Sequence, residues 1–427
     1  MKKFLCIALM TCLLIMPVLN GCKNADLEIP HDPTGDGTTD DQNGQTTAEA
    51  TTEAPFKLES WNLGDKDISE YKIVYSKVIS IALERRYKDL LGEDYDYYKV
   101  VAEKLAETIK AEFGVTVPVV LDTATSASDL EILVGDTDRA ESKASDVSEL
   151  GDNNYAIVMK GKKLVIKGGQ PGSTYHALDE IEKEFAAAKE AKTANITWAA
   201  DKSIKGEYKL KKVACVGDSL TAGSQATNKE MFYPQQLQRI LWRDYIVYNY
   251  GYSGRTMRDD SANTYTATQE YKDCIAGSGY DLVCIMLGTN DTAYASWDNV
   301  ADGKAKFLSS AKGIIDAIKK NSPNAKFVIM NCPEAYGKFQ VNPTLAKITL
   351  VRETQLETAQ ALKNQGYSMF MYNMFKYTDE NLTLEKDYAA DQLHMSDYGY
   401  RKVAEGVAEL VSHVFDGKEN KYVVPLS

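Results

Sequence analysis

From residue 211 onward, short apolar runs alternate with stretches in which apolar positions recur every third or fourth residue. The short runs, at 213–216, 246–250, 282–287, 327–330 and 369–372, are bounded on at least one side by Gly, Asp, Asn or Ser. They are too brief for helices and predict strands. Helical spacing falls between them at 235–243, 305–319 and 345–363, and again at 397–414. Apart from Asn249 the runs are apolar throughout rather than alternating, which marks strands covered on both faces. Five of them with helices between predict a doubly wound parallel sheet. The pattern upstream differs. Residues 71–76, 117–122 and 131–136 predict strands, 155–169 a hairpin turning at Gly161-Lys162, and 94–113 and 174–188 helices. That mixture predicts a smaller α+β accessory domain at 56–208 in front of an α/β domain at 209–427.

Neither pattern reaches the first 55 residues. Lys2 and Lys3 precede an apolar run at 4–19, short for a membrane span and suited to a signal peptide. The run ends in Leu19-Asn20-Gly21-Cys22, which is similar to a bacterial lipoprotein cleavage box. Residues 1–21 are therefore expected to leave as a signal. Cys22 would become the lipid-bearing N-terminus and hold the protein on the outer face of a membrane, at the bacterial cell surface. A plain secretory signal with an incidental cysteine is the alternative. Residues 22–55 are rich in Thr, Asp and Gly and nearly lack large apolar side chains. Such a composition cannot repay the entropy of folding and predicts a disordered linker, reaching on the order of 30 Å.

Composition narrows the classes of partner. Removal of 1–21 takes the net charge from −12 to −14, because two lysines and no acid are lost. A body so acidic is repelled by nucleic acid and by anionic headgroups, leaving the lipid anchor as the expected route to a membrane. Beyond Cys22 the cysteines are Cys215, Cys274, Cys284 and Cys332, without metal-type spacing, and the chain has four histidines and no HExxH. No metal or cofactor is expected. Cys215 and Cys284 fall inside apolar strands, as small hydrophobes do. His176, in the last helix of the first domain, reads as a packing or surface residue. No GxGxxG or GxxxxGKS follows any strand, which gives a nucleotide phosphate no cradle.

The strand ends carry the chemistry. In KKVACVGDSLT, at 211–221, an apolar strand stops at Gly217-Asp218 and leaves Ser219 at the carboxyl edge of the sheet, where open α/β sheets bind ligands. Taken alone, a serine there is more often a helix N-cap than a nucleophile. The second strand is followed by a glycine-dense loop, 249–256, whose amides can turn inward towards an anion. The third is followed by Gly288-Thr289-Asn290-Asp291, which puts a side-chain amide at the same edge. Before the last helix comes Asp391-Gln392-Leu393-His394, where a carboxylate can hold one imidazole nitrogen while the other faces the serine.

With GDSL at 217–220, NYGYSGRT at 249–256, GTND at 288–291 and DQLH at 391–394, the chain resembles the SGNH, or GDSL-type, serine hydrolases over about 211–415. The resemblance implies the SGNH/flavodoxin-like form of the α/β sheet and a serine ester hydrolase. It implies Ser219 as nucleophile, His394 as general base and Asp391 as its partner. The oxyanion hole would be the amides of Ser219 and Gly254 and the side chain of Asn290. Met395 stands where that family commonly has proline, and Gly251 is an alternative amide donor. Residues 70–200 resemble, by pattern alone, the accessory domain of bacterial α-glucuronidases and β-hexosaminidases.

Three substrate readings follow. The first is an O-acylesterase, chiefly a deacetylase, on carbohydrate, with Tyr252, Tyr294, Trp297 and Tyr336 expected around the mouth to stack on sugar rings. The second is a lysophospholipase or broad acyl-ester hydrolase. The third is a lipid-anchored glycan-binding protein whose hydrolase domain is only a scaffold, against which the complete set of Ser219, Asn290, Asp391 and His394 argues.

Overall fold

The computed structural model describes residues 55–77 and 96–427. The expected signal peptide, Cys22, nearly all of the linker and the first two residues of the helix expected at 94–113 lie outside the described residues. In chain order the strands are β1 (Ser60–Leu63), β2 (Lys66–Asp67), β3 (Lys72–Tyr75), β4 (Val119–Leu121), β5 (Glu131–Val134), β6 (Asn154–Lys160), β7 (Lys163–Gly168), β8 (Asn195–Trp198) and β9 (Ser203–Glu207). They are followed by β10 (Lys211–Gly217), β11 (Tyr245–Gly251), β12 (Leu282–Met286), β13 (Lys326–Met330), β14 (Met369–Tyr372) and β15 (Val423–Val424).

The second six-stranded sheet has the order β11-β10-β12-β13-β14-β15. Its first five strands are those expected and all pair in parallel. The sixth corrects the five-stranded expectation: β15 adds an antiparallel edge along β14. Two residues carry no readable periodicity, so nothing in the pattern announces that strand. Val213, Ala214, Cys215 and Val216 of β10 are wholly buried. Val213 and Cys215 face one apolar core, shared with the last helix, Asp397–Asp416. Ala214 and Val216 face another, shared with the helix Val300–Lys319. A strand placed between two cores has both of its alternating faces apolar, which is why the run is unbroken.

The first region is richer in strands than expected. Its six-stranded sheet runs β4-β3-β5-β7-β6-β9, and β2-β1-β8 form a further sheet. Four of its strands, β4, β3, β5 and β7, run parallel, while β6 is antiparallel to β7 and β9. The hairpin turns as expected, with Lys160 opposite Lys163 and Gly161 in the left-handed region. Helices Tyr97–Phe113 and Pro171–Glu190 cover the sheet, and Trp61 packs edge-on against Phe185 and Trp198 beneath them.

The expected boundary at 208/209 falls between β9 and β10, and the described residues on both sides of it belong to one compact unit. Trp242, carried by the second region, belongs to the apolar core of the first, with Tyr97 and Tyr175 at 5.1 and 5.6 Å between ring centroids. Gly172 makes the approach close enough: a Cβ there would come within 2.6 Å of the Trp242 and Arg243 carbonyl oxygens. His176 is a packing residue of this seam. It stacks on Tyr208 at 3.4 Å and meets Asp179 and Asp244, each at 3.1 Å. Removing a buried indole leaves a cavity that packed neighbours close only in part. Trp242→Ala is therefore expected to lower unfolding stability by about 3 kcal/mol in urea titration; an unchanged midpoint would show the seam to be energetically idle.

Candidate active site

At the carboxyl edge of β10 the chain turns through Asp218 into a short helix, Ser219–Ala222, so that Ser219 is its first residue. The turn is tight on the far side too. Gly251, at the end of β11, lies against this helix so closely that a Cβ would fall 2.2 Å from the Ala222 amide nitrogen. Tyr252 N–H donates to the Gly217 carbonyl at 3.0 Å and fixes the following loop beside the serine. Backbone contacts on two strands thus set the height of Ser219 above the sheet.

The imidazole arrives from the other end of the domain. Asp391 Oδ1 accepts from the amides of Leu393 and His394 at 3.1 and 3.0 Å, which curls 391–394 into a side-chain-capped turn. Gln392 takes a left-handed backbone, φ 60°, to complete it. Met395, where proline is common in the resembled family, is buried and pins the turn to the core that contains Leu220 and Tyr400. The helix that follows is tied directly to the loop after Ser219. Asp397 accepts from the Thr227 amide and hydroxyl at 2.9 and 2.7 Å, and Tyr400 OH donates to the Ser224 carbonyl at 2.7 Å.

These ties bring together residues 175 positions apart. His394 Nε2 lies 2.7 Å from Ser219 Oγ, and His394 Nδ1 lies 2.6 Å from Asp391 Oδ2. Burial works to raise the Asp391 pKa, but the bonds from the His394 ring and the two amides outweigh it and hold the carboxyl below its usual range. An ionised carboxylate only accepts, so Nδ1 carries the proton and Nε2 is left to accept from the serine hydroxyl. This arrangement can deprotonate an alcohol as it attacks.

The expected oxyanion donors gather at the same edge. Among the described residues the amides of Ser219 and Gly254 have no acceptor, and Gly254 takes the left-handed conformation, φ 76°. The alternative, Gly251, spends its amide on Asn249 Oδ1 at 2.9 Å. Asn290 Nδ2 donates to the Arg255 carbonyl at 3.1 Å and to Asp218 Oδ2 at 3.2 Å. Both contacts are long, so a substrate oxygen would have to share or displace one of them.

Two carboxyls given no part in the sequence reading hold this edge together. Asp218 is wholly buried and receives the Leu220 amide at 3.0 Å as well as Asn290. Asp291, equally buried, receives the amides of Met257 and Arg258 at 2.8 and 3.0 Å and so anchors the loop that carries Gly254. Burial pushes both carboxyls up to about 7. An acid enclosed by a buried strand end and a helix start is the signal that could have marked them.

The aromatic expectations divide. Tyr252 and Tyr294 are exposed, and Tyr336 is partly buried edge-on to Tyr388, with its amide donating to the Gln392 carbonyl of the histidine turn. Trp297 corrects the sequence reading. It is buried, donates from Nε1 to the Asp291 carbonyl at 2.9 Å and lies beneath the Arg258 guanidinium, so neither face is open to a sugar. Cys215, Cys274, Cys284 and Cys332 are all free and buried. Among the described residues no cluster of three or more His, Cys, Asp or Glu could hold a metal ion, and no helix is long and apolar enough to cross a membrane.

Residues 215–402 match the GDSL-like Lipase/Acylhydrolase family. The C-terminal half is GDSL-like. An acetylxylan esterase of Xylanibacter ruminicola is 40% identical over 215 residues, 47% of this chain and 43% of that protein. The chain thus spans less than half the length of that curated relative. Among solved structures, the native M. smegmatis aryl esterase is 21% identical, with 48% of this chain and 100% of that one covered at a TM-score of 0.37. A family two carbohydrate esterase from Clostridium thermocellum, in complex with cellohexaose, is 19% identical, with 51% and 69% covered at a TM-score of 0.38.

The buried acids of the GDSL-like half give a pH signature. A carboxyl whose folded pKa is raised binds its proton more tightly folded than unfolded. It therefore costs stability as pH climbs from about 4, the unfolded value, through about 7. Asp218→Asn is expected to gain on the wild type in urea midpoint as pH rises from about 5 to about 8. A gap independent of pH would mean that Asp218 is ionised throughout.

Proposed function

We propose that the protein is an exported serine esterase that removes O-acyl groups, chiefly O-acetyl, from carbohydrate, tethered at the bacterial cell surface through Cys22. In this reading residues 209–427 are the hydrolase domain, 56–208 an accessory domain and 22–55 a spacer. The observation that carries it is the unbroken line of hydroxyl, imidazole and carboxylate, with contacts of 2.7 and 2.6 Å. Support for a carbohydrate ester comes from the acetylxylan esterase relative, from the lipoprotein-like N-terminus and from the exposed Tyr252 and Tyr294, which follow the strand ends that carry Gly254 and Asn290.

The chemistry follows from the geometry. As Ser219 Oγ attacks the ester carbon, His394 Nε2 takes its proton, and Asp391 stabilises the imidazolium without being protonated. Negative charge gathers on the carbonyl oxygen and meets the amides of Ser219 and Gly254 and the Asn290 side chain, each worth about 3 kcal/mol of barrier. As the bond to the sugar breaks, His394 gives the proton to the departing sugar oxygen, which leaves as a hydroxyl; a water then attacks the acyl-serine in the same way to free acetate.

Two measurements check this. Ser219→Ala is expected to lower kcat by several orders of magnitude while leaving the urea midpoint near that of wild type; retained turnover would remove Ser219 from the chemistry. Nitrophenyl esters from C2 to C12 are expected to be cleaved fastest at C2. A maximum at C8 or beyond would favour a lysophospholipase or broad acyl-ester hydrolase.

A further inference from the structure

Among the described residues Arg255 is a cation without a counter-charge, on a loop at the edge that carries Ser219. Its own carbonyl accepts from Asn290 Nδ2 at 3.1 Å, and it follows Gly254, whose amide has no acceptor among the described residues. The loop is held down on both sides, by Tyr252 N–H on the Gly217 carbonyl at 3.0 Å and by Ser253 Oγ, 2.9 Å from Ser224 Oγ. Arg255 is therefore placed by the same contacts that place the oxyanion donors.

The side chain is ordered on one face and unsatisfied along one edge. Its guanidinium lies over the Tyr252 ring, 4.7 Å from the centroid, and Tyr252 is 39% exposed. Among the described residues Arg255 forms no ion pair, and neither does Arg243, whose guanidinium lies over the Tyr175 and Trp242 rings, whereas Arg139, Arg239, Arg258, Arg352 and Arg401 each meet a carboxylate within 4 Å. Its Nε is buried and has no hydrogen-bond partner. Arg243 is enclosed between two rings of the seam, but Arg255 has a single ring beside it and stands on the loop that carries the oxyanion donors, in a protein of net charge −12. With Nε enclosed and the side chain only half-buried, the donors that a ligand can meet are those at the Nη end of the guanidinium. That geometry fits a planar carboxylate better than a hydroxyl.

We infer that Arg255 is a specificity residue that receives a carboxylate of the substrate, so that the preferred esters lie on acidic sugars, with an O-acetyl group close to a uronate. The inference rests on the carbohydrate reading above and narrows it. An anionic chain approaching an acidic protein is repelled over most of the surface and is held where this loop, tied to the serine turn through Tyr252 and Ser253, carries its one cation. Tyr252 serves both partners, stiffening the guanidinium beneath it and leaving its exposed part to the sugar ring.

The test compares kcat/KM for acetylated digalacturonate and acetylated xylobiose, one bearing carboxylates and the other neutral, with 4-nitrophenyl acetate as a reference. The wild type is expected to prefer the acidic sugar, and to prefer it less as salt rises from about 20 to about 500 mM. In Arg255→Gln the ratio of acidic to neutral kcat/KM is expected to fall about tenfold or more, mainly through KM, and Arg255→Lys should recover part of it. A wild type without preference, or variants that slow both sugars by one factor, would overturn the inference; the latter would make Arg255 only a support for Asn290. If the wild type cleaves 4-nitrophenyl acetate but neither sugar, the carbohydrate reading itself fails, and this inference with it.

Discussion

Everything in the C-terminal half bears on one contact, the 2.7 Å approach of His394 Nε2 to Ser219 Oγ. Neither partner can reach the other through local structure. Ser219 is set by the end of a strand sandwiched between two cores, and His394 by a turn just ahead of the last helix. The cost of closing so long a loop is met by packing and by specific polar ties: Asp397 on Thr227, Tyr400 on Ser224 and Met395 in the shared core. Each tie lies within a few residues of one partner, so the catalytic distance is inherited from the fold rather than from the flexibility of two side chains.

The same economy governs the donors. Asp218 and Asp291 are buried acids whose bonds run to backbone amides and to Asn290, and together they link the serine turn, the Gly254 loop and the GTND loop. Enclosing a carboxyl is unfavourable, as the raised pKa values of both attest. The return is that three loops from three strands share one rigid frame. Preorganised donors stabilise charge better than donors that must reorient, which gives a physical reason for such acids beside a nucleophile.

Much of this frame was legible beforehand because its causes are local. Unbroken apolar runs mark strands covered on both faces, and β10 to β14 appear where those runs fall. Polar clusters at strand ends mark the carboxyl edge, and Ser219, Asn290, Asp391 and His394 meet there. What stayed hidden depends on pairing with distant chain. β1, β2, β8, β9 and β15 have two to five residues each, and their partners rather than their periodicity make them strands. Trp297 is adjacent to the site in sequence, but the Asp291 carbonyl and the Arg258 guanidinium claim it for the interior. The choice between Gly251 and Gly254 turned on where one amide bond goes, which spacing does not reveal. That Arg255 meets no carboxylate among the described residues likewise depends on where the acids lie in the fold, which spacing does not reveal.

The most direct test of the central contact asks whether Ser219 is a nucleophile because His394 touches it. A fluorophosphonate that reacts only with activated hydroxyls, followed by peptide mass spectrometry, reads this without any assumption about substrate. One adduct is expected, on Ser219, formed far more slowly once His394 is replaced by alanine. Absence of an adduct on Ser219, or equal labelling rates with and without the imidazole, would contradict it.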